Sequence, residues 1–179
     1  AYAYNYLMEC YVDAYTNGGS SKLGLSIYTK YSINNPPVAR SSAKETYDSI
    51  LTWAKDGVKL LKDAQVGYTK DDPTDIDLGV ANFVLARAAL CAGDWATVIS
   101  ACDEILAAYP TLMNESQYVG VNEAPSGADY VAYFAEHKGF TCLQQNPEVI
   151  LGYPYNNKAY GSASYWTNNL ATPNIASID

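Results

Sequence analysis

Apolar side chains recur at helical spacing in two stretches of the first third of the chain. In residues 1 to 16 they fall at i, i+3, i+4 and i+7, the pattern of an amphipathic helix. A second stripe of the same kind runs from Tyr47 to about residue 64. Just before it, Ser42 and Glu45 have the S-x-x-E spacing of a capping box, a hydrogen-bonded helix start. The pattern predicts one helix pair joined by a long connection over residues 17 to 40.

The most regular stretch, residues 78 to 110, predicts a helix, a tight turn and a second helix. Gly93 can adopt the positive φ that ends a helix, Asp94 can cap the next one, and Pro110 cannot continue it because it lacks an amide proton. The key positions fall at the offsets of a tetratricopeptide repeat, a helix pair that stacks on its neighbours. They are Leu85, Ala86, Ala89, Val98, Cys102 and Pro110. We therefore predict a mostly α fold of tetratricopeptide-like helix pairs with long irregular loop insertions.

Residues 111 to 179 follow a different pattern. Only residues 128 to 138 show helical periodicity, and residues 148 to 153 form a short apolar run that indicates a strand or an extended segment. The rest is rich in Tyr, Asn, Gly, Ser and Pro, which is typical of loops. We expect two helix pairs in residues 1 to 110 and a loop-rich segment in residues 111 to 179. That segment would pack on the helices as part of the same domain and continue beyond this sequence.

Composition and charge exclude several classes of function. The 179 residues include only 11 Lys and Arg, which are scattered, and the net charge is −8, so the chain lacks the basic patch of a nucleic-acid-binding protein. No run of about 18 apolar residues predicts a transmembrane helix. Tyr occurs 17 times and Phe only three times, a bias that suits rings that are half buried with a hydroxyl in water. Such rings either fill a thin helical stack or form a binding surface.

The polar residues form no recognisable catalytic or metal-binding motif. His137, the single histidine, lies near a predicted helix end, where a surface or capping role is expected. The cysteines lack a CxxC pair, which argues against zinc and leaves Cys91 and Cys102 as core residues or as a disulfide. Aspartates at 71, 72, 75 and 77 lie in one connection without EF-hand spacing, and Asp77 is placed to cap the next helix. We predict no enzyme, no cofactor and no metal.

Arginine and tryptophan are few, and we expect structural roles for most of them. Arg87 projects from the middle of a helix and is expected to pair with an acidic neighbour, whereas Arg40 is expected to brace the long connection. Trp53 and Trp95 are expected to pack within the helix pairs.

Residues 153 to 169 combine aromatic side chains with Asn, Ser and Gly. A pyranose has an apolar face of CH groups and a rim of hydroxyls, so that aromatic rings cover the face while amides bind the hydroxyls. Tyr153 and Tyr165 are expected mainly to anchor this loop on the helices. The residues predicted to contact a ligand are Tyr155, Asn156, Asn157, Tyr160, Trp166 and Asn168.

Six segments, taken in order, resemble a known family over nearly the whole chain. They are LMECYVDAYTNGG, LGLSIYT, VARSSAKETYDSIL, GVANFVLARAALCAGDW, YPTLMN and NPEVILGYPY. Together they resemble the SusD/RagB family of outer-membrane nutrient-binding lipoproteins. The chain departs from many relatives at Ser26, where they have Pro, and departs from the strict repeat pattern at Val98 and Cys102.

The resemblance implies an internal fragment of a surface-exposed lipoprotein, held on the outer membrane only by an N-terminal lipid that this chain does not include. Such proteins act as hinged lids on a TonB-dependent transporter of the SusC type and serve nutrient uptake and polysaccharide utilisation. The expected function is therefore carbohydrate binding and delivery of oligosaccharide to that transporter, with most ligand contacts made by loops. A peptide-binding member of the same family and a tetratricopeptide repeat scaffold for protein–protein interaction remain as alternatives.

Overall fold

The computed structural model describes residues 1–30, 33–69, 74–112, 114 and 147–152. Contacts divide the chain into two compact units, Ala1–Tyr68 with Ile76–Ala108, and Thr69–Asp75 with Tyr109–Asp179. The first unit contains four α-helices: α1 (Tyr2–Tyr11), α2 (Ala43–Asp63), α3 (Leu78–Ala92) and α4 (Trp95–Ala108). Within the described ranges no strand forms, and the prediction of a mostly α fold is confirmed. None of the helices in those ranges is long and apolar enough to cross a membrane.

The starts of α2, α3 and α4 are fixed by side chains that accept hydrogen bonds from the first turn. The Ser42 hydroxyl accepts from the Glu45 amide at 3.1 Å, and the Glu45 carboxylate accepts from the Ser42 amide at 2.9 Å, which completes the predicted capping box. The carboxylates of Asp77 and Asp94 each accept from an amide three residues on, at 2.9 and 3.2 Å. Because the first amides of a helix have no partner within it, these caps set where each helix begins.

The turn between α3 and α4 also follows the prediction. Gly93 has φ +75°, in the left-handed region where a residue with a Cβ is strained. The Asp94 amide donates to the Ala89 carbonyl at 2.9 Å, which closes the end of α3. At the far end, α4 stops at Ala108, two residues before Pro110.

The first helix is shorter than the sequence pattern predicts. α1 ends at Tyr11, Val12 is extended, and a 3-10 turn follows over Tyr15–Asn17. This path brings the Tyr15 ring edge-on to Tyr47, with the ring centroids 5.1 Å apart. Packing against α2 thus overrides the local helical pattern.

The long connection between α1 and α2 is closed where it meets the helices. The Gly24 amide donates to the Ser41 carbonyl at 2.7 Å, and the Ser41 amide donates to the Leu25 carbonyl at 2.9 Å. The Arg40 guanidinium donates to the carbonyls of Gly24 at 2.6 Å and Leu23 at 3.1 Å. The predicted bracing role of Arg40 is therefore confirmed.

The core of the first unit has two clusters, and α3 contributes to both. One lies among α2, α3 and α4: Ala54, Val58, Leu78, Leu85, Ala86 and Ala101. The other lies among α1, α2 and α3: Met8, Ala43, Tyr47, Ile50 and Ala88. The repeat positions Leu85, Ala86 and Ala89 are all buried, as expected for a helix at the centre of a stack.

The two tryptophans of the helix pairs have different environments. Trp53 packs edge-on against Tyr4 with ring centroids 5.3 Å apart, as predicted. The prediction for Trp95 is wrong, since 59% of this residue is exposed. Trp95 is the first residue of α4 and, at 100° per residue, lies on the face opposite Thr97 and Glu104, which line the groove towards α2.

Little of the second unit lies within the described residues. Glu148 is in a turn, and residues 149–152 form no strand, so the strand alternative for this run is not found. An apolar run becomes a strand only where a neighbour takes its backbone hydrogen bonds. The predicted helix at residues 128 to 138 and His137 lie outside the described residues, and the single-domain organisation stays a prediction.

Candidate functional site

The ligand residues predicted from the sequence all lie outside the described residues. They are Tyr155, Asn156, Asn157, Tyr160, Trp166 and Asn168. The predicted loop site therefore stays a prediction. Two of the cavities formed by described residues lie within the first unit.

The larger cavity, which we call the α2–α4 groove, has a volume of about 340 Å³ and opens to solvent. Its lining comes from α2, α3 and α4: Lys55, Val58, Asn82, Leu85, Ala96, Thr97, Ser100, Ala101 and Glu104. Val58, Leu85 and Ala101 belong to the core and form an apolar floor. The rim is polar, so the groove combines the two surface types found in small-molecule sites.

Two ion pairs cross from α2 to α4, one at each end of the groove. Lys55 Nζ lies 3.7 Å from Asp94 Oδ2, and Lys62 Nζ lies 2.7 Å from Glu104 Oε1. Lys55 and Lys62 are two turns apart, about 10 Å along the axis of α2. The pairs therefore bridge α2 and the α4 segment across the open side of the groove.

A buried amide holds one wall of the groove. Asn82 is only 2% exposed, and its Nδ2 donates to Glu104 Oε2 at 3.0 Å and to the Tyr68 hydroxyl at 3.3 Å. The hydrogen bond from Lys62, together with that from Asn82, lowers the pKa of Glu104 below its ordinary value. Glu104 is consequently ionised at neutral pH and held in one orientation.

At the other end of the groove, the Asp94 carboxylate is also hydrogen-bonded and paired with a lysine. The Thr97 hydroxyl donates to Asp94 Oδ2 at 2.6 Å, and the Thr97 amide donates to Oδ1. These hydrogen bonds, with the charge of Lys55, lower the pKa of the Asp94 carboxyl. Each carboxylate that flanks the groove is thus paired with a lysine.

The smaller cavity, of about 250 Å³, lies between α1 and the end of α3. Glu9, which lines it, accepts two hydrogen bonds from Arg87, at 2.9 and 2.6 Å, so the predicted acidic partner of Arg87 is found. The Cys91 thiol donates to Glu9 at 3.5 Å, and burial raises its pKa. Burial likewise raises the pKa of the Tyr47 hydroxyl. A protonated thiol is a poor nucleophile, so the raised pKa does not activate Cys91.

The cysteines within the described ranges are all free, and the disulfide alternative for Cys91 and Cys102 is not formed. In the same ranges, no three His, Cys, Asp or Glu side chains come together as a metal site would require.

Sequence reasoning did not find the α2–α4 groove. Lys55, Val58 and Lys62 share one face of α2, which is visible in the sequence as i, i+3 and i+7. Their partners on α4 are about forty residues away, and α2 and α4 are not consecutive helices. Only the packing of both helices around α3 brings the two faces together.

One solved structure has a similar fold. It is the crystal structure of a SusD-like carbohydrate-binding protein from Bacteroides vulgatus ATCC 8482, which matches with a TM-score of 0.61 and 24% sequence identity. The match covers 88% of this chain, and this chain spans 29% of the length of that protein. No protein-family model and no curated protein matches the sequence. The chain therefore has the helical fold of a SusD-like protein.

Proposed function

We propose that this chain is part of a SusD-like cell-surface protein that binds glycan and delivers it to a TonB-dependent outer-membrane transporter of the SusC type. The observation that carries this proposal is the fold, which over 88% of the chain is similar to that of a SusD-like carbohydrate-binding protein. The order of six sequence segments independently points to the same family.

The proposed mechanism is reversible binding followed by handover, without covalent chemistry. The ligand-binding residues in this proposal are the loop side chains, with Tyr160 and Trp166 stacking on sugar faces and neighbouring asparagines binding hydroxyls. An acidic chain with a net charge of −8 suits neutral glycans, because aromatic stacking requires no cation.

The proposal includes location and anchoring. A protein that passes oligosaccharide to an outer-membrane transporter works at the outer surface of the cell, where an N-terminal lipid would hold it beside its partner.

A second candidate function, a scaffold that binds protein segments, is favoured by one specific observation. α4 exposes an apolar row, Trp95, Ile99 and Leu106, on the side away from α2. The spacing i, i+4 and i+11 places these side chains on one face, which suits a helix of a partner protein. A peptide ligand for a SusD-like protein belongs to the same candidate.

The test is calorimetric titration of the protein with a panel of soluble polysaccharides, repeated with Trp166→Ala and Tyr160→Ala. Loss of one ring–sugar contact is expected to weaken binding about tenfold, the equivalent of about 1.4 kcal/mol. Trp95→Ala is the matched control, since it removes an exposed tryptophan from α4 and should leave glycan affinity unchanged.

The outcomes separate the candidates. Glycan binding that is equally strong in the Trp166 and Tyr160 variants would support the function and reject the loop site. Binding of peptides with no affinity for any glycan would reject the proposal in favour of the second candidate.

A further inference from the structure

We propose that the α2–α4 groove binds one pyranose unit of a neutral oligosaccharide. This inference rests on the proposed function and adds a second contact for the same class of ligand. The groove lies on the helices of the first unit, whereas the loop site predicted from the sequence lies in residues 153 to 169.

The shape of the groove suits one unit of a longer chain. Its volume of about 340 Å³ falls within the range of small-molecule sites. Because it opens to solvent along α2 and α4, the rest of an oligosaccharide can extend out of it. The apolar floor of Val58, Leu85 and Ala101 provides a surface for the CH groups of the ring.

The rim supplies both donors and acceptors for sugar hydroxyls. Lys55 has an ammonium group, Thr97 and Ser100 have hydroxyls, and Glu104 has a carboxylate. Each Glu104 oxygen accepts one hydrogen bond from the protein, from Lys62 or from Asn82, and a carboxylate oxygen can accept a second. A hydroxyl both donates and accepts, so it can use acceptor and donor groups on opposite walls.

The charges indicate a neutral ligand. Two lysines and two carboxylates flank the groove, and they are paired as Lys55 with Asp94 and Lys62 with Glu104. A charged ligand would have to compete with these pairs, whereas a neutral polyol uses the donors and acceptors that the pairs leave available. These four charges sum to zero, so they give no net attraction for a uronate or a sulfated sugar.

The groove is also organised before any ligand arrives. Asn82 is buried and bonded to Glu104 and Tyr68, and Glu104 is further held by Lys62. Side chains that are already ordered lose little conformational entropy on binding. A shallow site with a fixed polar rim can therefore contribute to the affinity of a glycan that is held elsewhere as well.

The test fills the groove without touching its polar network. Ala96 is exposed and lines the groove, so Ala96→Trp should occupy it, while Ala107→Trp places the same ring on an exposed part of α4 that does not line the groove. In calorimetric titrations with soluble neutral polysaccharides, Ala96→Trp is expected to weaken binding about tenfold. Ala107→Trp is expected to bind like the unsubstituted protein. Thermal unfolding of both variants verifies that they fold.

A second measurement does not depend on the variants. In amide NMR spectra of the unsubstituted protein, a neutral oligosaccharide is expected to shift the backbone signals of Thr97 and Ser100 and the side-chain signal of Asn82. Absence of those shifts, or unchanged or tighter binding by folded Ala96→Trp, would overturn the groove site. Tighter binding of an acidic polysaccharide than of neutral ones would overturn its assignment to neutral sugars.

The proposed function has a separate readout. Glycan binding that is insensitive to Ala96→Trp but weakened by Trp166→Ala rejects the groove and keeps the function. Failure of the unsubstituted protein to bind any glycan rejects both.

Discussion

The adjacent helices α3 and α4 are similar in length and apolar content, yet they are buried to very different extents. α3, with 15 residues, buries eight of them, whereas α4, with 14 residues, buries two. α3 packs against α1, α2 and α4, while α4 packs chiefly on α3. The number of buried residues therefore depends on the position of a helix in the stack and cannot be predicted from its apolar composition alone.

This difference divides the roles of the two helices. α3 is surrounded by packed side chains and serves as the frame of the unit. α4 presents Thr97, Ser100 and Glu104 to the groove on one side and the exposed row of Trp95, Ile99 and Leu106 on the other. Surfaces available for binding are therefore concentrated on the less buried helix.

The largest expected effect comes from the same truncation on each helix. Leu85→Ala in α3 removes a side chain that is 7% exposed, and we expect it to lower the free energy of unfolding by about 2–5 kcal/mol because it leaves a cavity. Leu106→Ala in α4 removes one that is 59% exposed, and the expected change is within about 0.5 kcal/mol. Urea unfolding of both variants measures the contrast. Equal losses would mean that Leu106 is covered in solution.

A smaller contrast is expected for the two aspartate caps. Asp77, which begins α3, is 2% exposed, so Asp77→Ala should lower the free energy of unfolding by about 1–2 kcal/mol. Asp94, which begins α4, is more exposed, and Asp94→Ala should lower it by about 0.5–1 kcal/mol. Thermal unfolding of the pair gives the comparison, with Asp→Asn variants as controls that keep an acceptor. A larger loss of unfolding free energy for Asp94→Ala than for Asp77→Ala would contradict the conclusion that the more buried helix, α3, contributes more to stability.

The smallest effect concerns the ion pair between Arg87 on α3 and Glu9 on α1, which has no counterpart on the outer side of α4 among the ion pairs of the described residues. The hydrogen bonds from Arg87 lower the pKa of Glu9, so its folded pKa lies below its unfolded value. The stabilisation is present above the unfolded pKa and is lost as the pH falls through the folded pKa. Because solvent screens the pair, we expect Glu9→Gln to lower the free energy of unfolding by less than about 1 kcal/mol at pH 7.

The measurement for Glu9 is the difference in unfolding free energy between the native protein and Glu9→Gln as a function of pH. The difference should shrink from about pH 5 downwards. The comparison with a variant is needed because Glu45, Asp94 and Glu104 also have lowered pKa values. A difference that does not depend on pH would show that the Glu9 carboxylate contributes nothing through its charge.

The parts of the fold that could be predicted are those determined by neighbouring residues. Ser42, Asp77 and Asp94 cap helices through amides three residues away, and Gly93 ends α3 through its own φ. Because such features depend on a few consecutive residues, they can be predicted from the sequence. The SusD-like fold was predicted because six sequence segments, taken in order, resemble that family.

The parts that could not be predicted depend on contacts between distant segments. α1 ends early because Tyr15 packs on Tyr47, and helical periodicity contains no information about that contact. The exposure of Trp95 could not be predicted, because it depends on whether another helix packs on the outer side of α4, and none of the described helices does. The groove depends on Lys62 meeting Glu104 across α3, which no local pattern indicates.

The closure of the loop between α1 and α2 has a consequence for how such proteins diverge. The base of the connection is closed by the hydrogen bonds between Gly24 and Ser41 and by the Arg40 guanidinium. It is tied to α1 a second time, because the Tyr4 hydroxyl donates to the Ser26 carbonyl at 3.2 Å and accepts from the Tyr28 amide at 2.9 Å. Doubling the length of a closed loop costs only about 0.6 kcal/mol in closure entropy. The part of the connection between Tyr28 and Val38 can therefore be lengthened or exchanged while the helices keep their places, so that insertions here offer a route to new surface shapes on an unchanged frame.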